Sequence, residues 1–510
     1  MVQLPELHPF DNMQLVLVAA ASLGVVVSIA RVYLIKPESA RSLPPSPPTH
    51  RLLGHFLPSP NQFLTIARWI DQYGPLITIR SGAEKIVFIG RHHAAMDIME
   101  KQGGSLADRP RMVAAGEILS GGLSVAFAPA GDRHRRMRRA LHTHLQPKAA
   151  EGYHPLQMSH AKKTVLDILD DPRNFQKHAT TYAATTIIKI TYGETTPAST
   201  IDIEVKEMRQ FLDTFRLALR PGAYLVDLIP WLKYLPGYGR NLRREFERTR
   251  KLYTTQLNRV KQHVNDVEVG PSFGKYMLEN NHLYGLSEIE MIFLAGAFFG
   301  AGSDTTAVAI CTVLMAAACF PEEQAKVQAE LDAVIGRKRA PTFADRQFLP
   351  RLDAFISEAL RWRPLTPNGF GHRTTKDVIW ENYCIPAGTR VIGSHWAISR
   401  DPEVYPEPEA FKPQRWINDQ GRLRDDLTFF VYGFGRRICP AQHVANRSVF
   451  INTLLILWAF QLNLDPTKPL DDFGFMTGIM PYDRPCTIDF KTRVPEDELR
   501  LMMQNYPEVV

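Results

Sequence analysis

One stretch gathers the residue types that hold a metal: Tyr432-Gly433-Phe434-Gly435-Arg436-Arg437-Ile438-Cys439-Pro440. A cysteine thiolate is a strong metal ligand, and amides at a helix N-terminus favour that charged form. Cys439 stands just ahead of an apolar helical run, and Pro440 suits a first helical turn. The glycines let backbone lie close against something flat or bulky. A lone cysteine is more often a small buried hydrophobe, so the glycine and arginine context is what singles this one out. Two other constellations could serve chemistry. Glu358 and Arg361 have the spacing that puts both side chains on one helix face, where they can pair. Ala301-Gly302-Ser303-Asp304-Thr305-Thr306 sets a carboxylate and hydroxyls among small residues in a helical pattern. A threonine hydroxyl there can bond back to an earlier carbonyl and open the helix locally, and a neighbouring carboxylate can relay protons. Taken singly, the first is an ordinary surface pair and the second a helix bent at Gly and Thr.

Such residues need a scaffold, and 510 residues can bury a very large core, length alone suggesting about three domains. Hydrophobic content of 45% and charged content of 22% are those of a globular protein rather than a disordered one. The five cysteines, Cys311, Cys319, Cys384, Cys439 and Cys486, include no CxxC pair, which suggests neither a disulfide framework nor a zinc site; a reducing compartment fits. The net charge of +7 is uneven, because Arg133, His134, Arg135, Arg136, Arg138 and Arg139 crowd one segment. No aromatic residues are interleaved for base stacking, which argues against nucleic acid. A solvated helix face explains the run, and so does a docking surface for an acidic protein partner.

Along the chain, Met13 to Ala30 is free of charge, and Val32 to Ile35 prolongs the apolar character. That length suits one transmembrane helix. Glu6 and Asp11 precede it, whereas Arg31, Lys36, Arg41 and Arg51 follow, so the positive-inside rule places the body on the cytoplasmic side. The expected organisation is a membrane anchor over 1–36, a proline-rich hinge over 37–60 carrying Leu43-Pro44-Pro45-Ser46-Pro47-Pro48, and a catalytic body over 61–510. The body reads as mainly α with small β-sheets. Phe63 to Tyr73 is an amphipathic helix, Leu76–Arg80 and Lys85–Ile89 flank a turn as a hairpin, and short strands fall near Asp377–Trp380 and Arg390–Ile392. Met291 to Phe320 is apolar enough to suggest a second span, but Asp304 near its middle would cost about 3 kcal/mol at a bilayer centre. A long helix buried in protein is the expectation there.

The Cys439 loop resembles the haem-binding signature of the cytochromes P450, F-x-x-G-x-R-x-C-x-G, through Gly435, Arg437 and Cys439, with Tyr432 for the Phe and Ala441 for the last Gly. Glu358 and Arg361 match the family's E-x-x-R, with Arg415 as the later arginine that joins it. Ala301-Gly302-Ser303-Asp304-Thr305 matches the oxygen-activating helix. The resemblance covers nearly everything after the anchor. It implies the P450 fold, haem b held by the Cys439 sulfur, and Arg437 on a propionate. Arg138, His134 in place of a tryptophan, and His372 fall on further propionate positions. Ala301 and Gly302 would leave room for dioxygen, while Asp304 and Thr305 would route protons. Within the family the chain is most similar to fungal secondary-metabolism members, such as the O-methylsterigmatocystin oxidoreductase-like group.

By that resemblance the protein is a monooxygenase of the endoplasmic reticulum membrane. It takes electrons from NADPH-cytochrome P450 reductase, with cytochrome b5 a further donor, and the arginines at 133–139 with Arg436 would meet the reductase. The pocket would be built from Val113–Leu123, Ala297, Phe298, Ala301, Thr366–Gly369 and Gly478-Ile479, mostly apolar, for a lipophilic small molecule. Two other readings fit the same motifs: a P450-type isomerase or dehydratase that works without dioxygen, and a haem protein that only binds a ligand. Asp304 and Thr305 argue against the first, which needs no proton relay. Asn446-Arg447-Ser448 has the form of a glycosylation site but falls on the cytoplasmic side, so it is expected to be unmodified.

Overall fold

Helices carry most of the chain in this computed structural model, which describes residues 22–24, 42–50, 54–58, 61–82, 84–193, 198–220, 222–266 and 270–507. The expected membrane anchor lies outside the described residues apart from Ser22–Gly24. The first principal helix, α1 (Gln62–Tyr73), buries Phe63, Ile66 and Ile70 on one face and ends at Gly74, whose φ of 116° suits glycine. An antiparallel hairpin follows: β1 (Leu76–Ser81) and β2 (Glu84–Ile89) pair in register from Leu76 opposite Ile89 to Ser81 opposite Glu84. Later segments complete three sheets. They are β3 (His372–Arg373), β4 (Val378–Trp380), β5 (Tyr383–Ile385), β6 (Arg390–Gly393), β7 (Phe460–Leu464) and β8 (Ile488–Thr492). The largest sheet runs β1-β2-β6-β3, with β6 parallel to β2, so residues about three hundred positions apart are neighbours in it.

The proline run lies along this sheet. Thr78 of β1 donates its backbone N–H to Pro45 O at 2.7 Å and its hydroxyl to Pro44 O at 2.8 Å, and Cys384 N donates to Ser42 O at 3.0 Å. At Ser42, Pro44 and Pro45 the segment expected as a hinge is therefore hydrogen-bonded to the body.

The remaining principal helices are α2 (Asp132–Leu145), α3 (His154–Asp170), α4 (Phe175–Tyr192), α5 (Ala198–Leu219) and α6 (Arg240–Gln262). They continue with α7 (Glu288–Cys319), α8 (Pro321–Val334), α9 (Pro350–Trp362), α10 (Gln442–Ala459) and α11 (Glu496–Gln504). The 32-residue α7 is the axis of the molecule. Its start is fixed by a capping box between Ser287 and Glu290, and it is buried along most of its length. An all-round apolar helix needs partners all round, and α4, α6, α9 and α10 supply them. Its glycines set how closely they approach: a Cβ at Gly296 would lie 2.2 Å from the Tyr253 ring of α6, at Gly300 2.8 Å from Met208 Sδ of α5, and at Gly302 2.5 Å from Ile187 of α4. The segment Met291 to Phe320 is thus a core helix, as its interrupting carboxylate suggested.

A buried ion network braces α9 against the chain that leads to Cys439. Glu358 and Arg361 are both fully inaccessible and pair through two bonds of 2.8 Å. Glu358 also accepts from Trp416 Nε1 at 2.9 Å, from Lys412 N at 2.7 Å and from Arg415 Nε at 3.2 Å. Arg361 spends its remaining N–H groups on the carbonyls of Ser399, Pro408 and Ala410. Every charge in this network is met, which is the condition for keeping it in the interior.

Candidate active site

The cysteine loop is shaped by close backbone contact. Gly433 and Gly435 have φ of 81° and 50°, and a Cβ at Gly435 would meet Met99 O at 2.5 Å. Gly435 N donates to Glu100 Oε1 at 2.9 Å, and Cys439 N donates to Tyr432 O at 2.9 Å, closing the loop. The close approach is made by Gly435 alone, to the Met99–Gly103 backbone, whereas a Cβ at Gly433 would meet open space. Cys439 precedes α10 by a short turn, so Pro440 sits in that turn rather than in the helix. Burial pushes the Cys439 thiol up, against the Ala441 N–H and the Arg138 guanidinium, which both favour the thiolate. Ala441 has φ of −94°, a conformation open to any residue, and its methyl packs beside the Met137 cluster. The alanine therefore fits where the signature has glycine. Asn446, in the glycosylation-like triplet, accepts from Tyr432 Oη at 2.6 Å.

Around this loop five basic side chains converge. Arg437 donates from Nε to Ala107 O and from one terminal nitrogen to Ala128 O, both at 2.6 Å, while its other terminal nitrogen is buried without a partner. Arg109 donates to Ala126 O at 3.2 Å and Gly371 O at 2.6 Å. His372 Nδ1 donates to Leu106 O at 2.9 Å. Among the described residues the side chains of His134 and Arg138 have no hydrogen-bond partner, although His134 is only 7% exposed. Burial, then Arg437 and Arg138, pull Arg109 down to about 9. Burial with Arg437, Arg138 and Arg109 pulls His134 down to about 4, and burial with Arg109 pulls His372 down to about 3. The nearest carboxylate, Asp108, is already committed to Arg373 at 2.7 Å and to Ala130 N at 2.8 Å. Cations that repel one another inside a protein mark a place for an anion. Two carboxylates on one rigid group would reverse the sign of each repulsion and take up the idle nitrogens.

The helix α7 contributes the third part. Within its buried length Ala301 and Thr305 are exposed, lying one turn apart on a face that includes the half-buried Ala297. Thr305 Oγ1 donates to Ala301 O at 2.7 Å. Asp304 points elsewhere: it is 3% exposed, and its Oδ2 accepts from Met480 N at 3.3 Å. The two residues expected to act together thus occupy different faces. Burial raises the Asp304 carboxyl, opposed by Arg209, which favours the charged form. Gly302 packs on Ile187, so the room expected on this helix is left by Ala301 alone.

Of the expected pocket segments, Gly478 and Thr366 meet, a Cβ on the glycine falling 3.4 Å from Thr366 Cγ2. Val113–Leu119 forms a π-helical turn whose first amides, Val113 N and Ala114 N, donate to Asp227 Oδ1 at 2.7 and 3.0 Å. Phe298 is a correction, since it packs edge-on against Phe273 in the core. The arginine run on α2 also divides. Arg133 is bound to Glu290 at 2.8 Å and to Gly122 O, and Arg136 to Asp132 at 2.9 Å and to Gly285 O, which leaves Arg135 and Arg139 as its exposed members, with Arg436 exposed on the cysteine loop. Arg109 escaped the sequence reading altogether, because nothing in Asp108-Arg109-Pro110 distinguishes it from a loop arginine.

A loop that presents one sulfur, a cationic cluster beside it fit for two carboxylates, and a hydroxyl-bearing helix packed on α10 together define a haem-thiolate protein. The cytochrome P450 family model matches residues 44–485. Cytochrome P450 monooxygenase 64 of Postia placenta is 48% identical over 94% of this chain and 97% of its own length. Cytochrome P450 monooxygenase 113 of the same fungus is 48% identical over 90% and 93%. A cytochrome P450 monooxygenase of Armillaria gallica is 36% identical over 92% and 94%. The chain belongs to the cytochrome P450 family, with fungal members its relatives; it is a monooxygenase of that family, and its cofactor is haem b.

Proposed function

We propose that this protein oxidises a lipophilic small molecule in fungal secondary metabolism, held to the endoplasmic reticulum membrane and supplied with electrons by NADPH-cytochrome P450 reductase. Haem, when bound, supplies dioxygen activation and the oxidising chemistry. Cys439 gives the sulfur ligand, and Arg437, Arg109, Arg138, His134 and His372 hold the carboxylates. The observation that carries the monooxygenase reading over an isomerase is the Thr305 hydroxyl, exposed on the one open face of α7 and anchored to Ala301 O. From there it can pass a proton into the cavity by rotating away from that carbonyl. Asp304, its carboxyl raised by burial, lies on the far side of the helix and can join the relay by a change of rotamer.

Membrane attachment is supported by the uncharged Met13–Ala30 segment and by exposed Leu225, Leu228, Trp231 and Tyr234 on the described surface. An apolar substrate is supported by Ala297, Ala301 and the Thr366–Gly478 contact. The deciding experiment is turnover of the purified protein with reductase and NADPH against a panel of lipophilic compounds. NADPH consumption that depends on the added compound, with oxygenated product, is the expected result. Product formed without NADPH establishes the isomerase instead. Cys439→Ser should lose both turnover and the thiolate-specific carbon-monoxide absorption band, and survival of that band in the variant rules out the assigned ligand.

A further inference from the structure

Behind α7, on the side away from Thr305, lies a cavity of about 570 Å³ between α4, α5 and the segment Met480–Arg484. Its floor is Ser303 and Asp304, so an occupant would sit about one helix diameter, roughly 10 Å, from the oxygen side of α7. Five cationic side chains line it, Arg173, Lys177, Lys206, Arg209 and Arg484, against the single carboxylate of Asp304.

That charge is only partly balanced internally: Asp304 faces Arg209, Asp465 faces Arg173, and Asp213 accepts from Tyr482 Oη of the lining. Arg173, Lys177 and Lys206 form no ion pair with any described residue. Arg484 is held by a neutral acceptor, Asn174 Oδ1 at 2.8 Å. Arg209 donates to Met480 O at 3.3 Å and lies over the Tyr482 ring at 4.3 Å, but its Nε is buried without a hydrogen-bond acceptor among the described residues. A buried guanidinium N–H without an acceptor costs free energy that an arriving anion recovers. An apolar strip, Val205, Met208, Leu212 and Met480, lies on the same elements as Lys206, Arg209 and Arg484.

We propose that this cavity is a binding site for a small organic anion, separate from the haem pocket. Its phosphate or carboxylate group meets Arg209, Arg173 and Lys177, and its hydrocarbon body lies on Val205 and Leu212. Charge supplies the attraction from a distance, the idle Arg209 Nε supplies the directed bond, and the apolar strip selects an amphipathic molecule over a bare ion.

Hexyl phosphate is a suitable probe, titrated calorimetrically into the full-length haem-loaded protein with an azole inhibitor already filling the haem pocket. We expect one site, affinity reduced about tenfold or more in the double variant Arg173→Glu with Lys177→Glu, and no measurable heat from hexanol at the same concentrations. Both substituted residues are exposed and stand outside the catalytic machinery, so the variant should keep its carbon-monoxide spectrum. Absence of binding, binding lost on adding the azole, or an affinity indifferent to the charge reversal each overturns the site. Inorganic phosphate binding as tightly as hexyl phosphate overturns the organic class of ligand.

Discussion

Two of the arginine clusters among the described residues, one around Glu358 and one around Arg437, differ in their arithmetic of charge. Around Glu358, the donors of Arg361, Arg415, Trp416 and Lys412 N all find oxygen, and the carboxylate is saturated. Around Arg437, five basic groups face one another with no uncommitted carboxylate among the described residues, one Arg437 nitrogen is buried unbonded, and Arg138 faces the Cys439 sulfur. The first cluster is complete in the polypeptide and belongs to the scaffold. The second becomes complete only with a ligand that carries negative charge. Residue type does not separate structure from function here; the number of unspent hydrogen bonds does.

The sharpest way to break this contrast is to remove the centre of the satisfied cluster. Glu358→Ala leaves Arg361 buried without a counter-charge, for which the expected cost is about 3–5 kcal/mol. Urea unfolding should show the midpoint displaced accordingly, with haem lost as a consequence. A variant as stable as the parent protein would mean that the network is not bracing α9.

The cationic cluster should respond to pH in a way that depends on haem. His134 and His372 titrate near 4 and 3 in the folded protein, below the unfolded value near 6.5, so the unfolded chain takes up protons first as pH falls. The stability they contribute is complete above about pH 6.5 and is lost as pH drops toward 4 and 3, by up to about 1.4 kcal/mol per pH unit for each imidazole. Carboxylates in the cluster raise both imidazoles and flatten that loss. Buried His144, His154, His160 and His395 are lowered too, to about 4, but they act alike in both forms. The apoprotein should therefore lose stability between pH 7 and 5 more steeply than the haem-loaded protein. Equal slopes in the two forms would count against a propionate site.

A smaller effect should fall on one side of the comparison only. Arg138 has no hydrogen-bond or ion-pair partner among the described residues, so Arg138→Gln should change apoprotein stability by no more than about 0.5 kcal/mol. Its loss removes a charge-assisted bond to the ligand, and haem affinity should fall about tenfold. Haem transfer to apomyoglobin measures this directly, and an unchanged transfer rate would leave Arg138 outside the site.

The satisfied cluster was the more legible of the two. Glu358 and Arg361 are set by helical spacing, and Arg415 follows from the family pattern, whereas Trp416 as a donor to Glu358 needs the fold. Cys439 and Arg437 stand out through their glycine-rich context. Arg109 does not, because its role depends on the chain at Asp108 pairing with Arg373 at the edge of the largest sheet, which brings Arg109 to Gly371 O. The separation of Asp304 from Thr305 follows from helical geometry alone, since neighbours on a helix point about 100° apart. Likewise the face that holds Ala301 and Thr305 cannot hold Gly302. The core position of α7 was readable from one carboxylate in an apolar run, while the direction of that carboxylate depended on Met480, a contact no local pattern encodes.

The finest test concerns arginines on the surface of α2, where the same distinction between spent and unspent charge applies. Arg136 is tied to Asp132 and Gly285 O, and Arg133 to Glu290, so their charge is partly neutralised at home. Arg139 and Arg436 are exposed without an ion-pair partner among the described residues. If the reductase meets this face, Arg139→Glu should slow reduction of the haem several-fold at low salt, and Arg136→Glu less. Raising the ionic strength should shrink the difference, because the interaction runs through solvent. Stopped-flow reduction at two salt concentrations separates the cases. Equal effects of the two reversals would show that pairing with Asp132 does not withdraw Arg136 from the docking field, and no effect of either would move the docking face off α2.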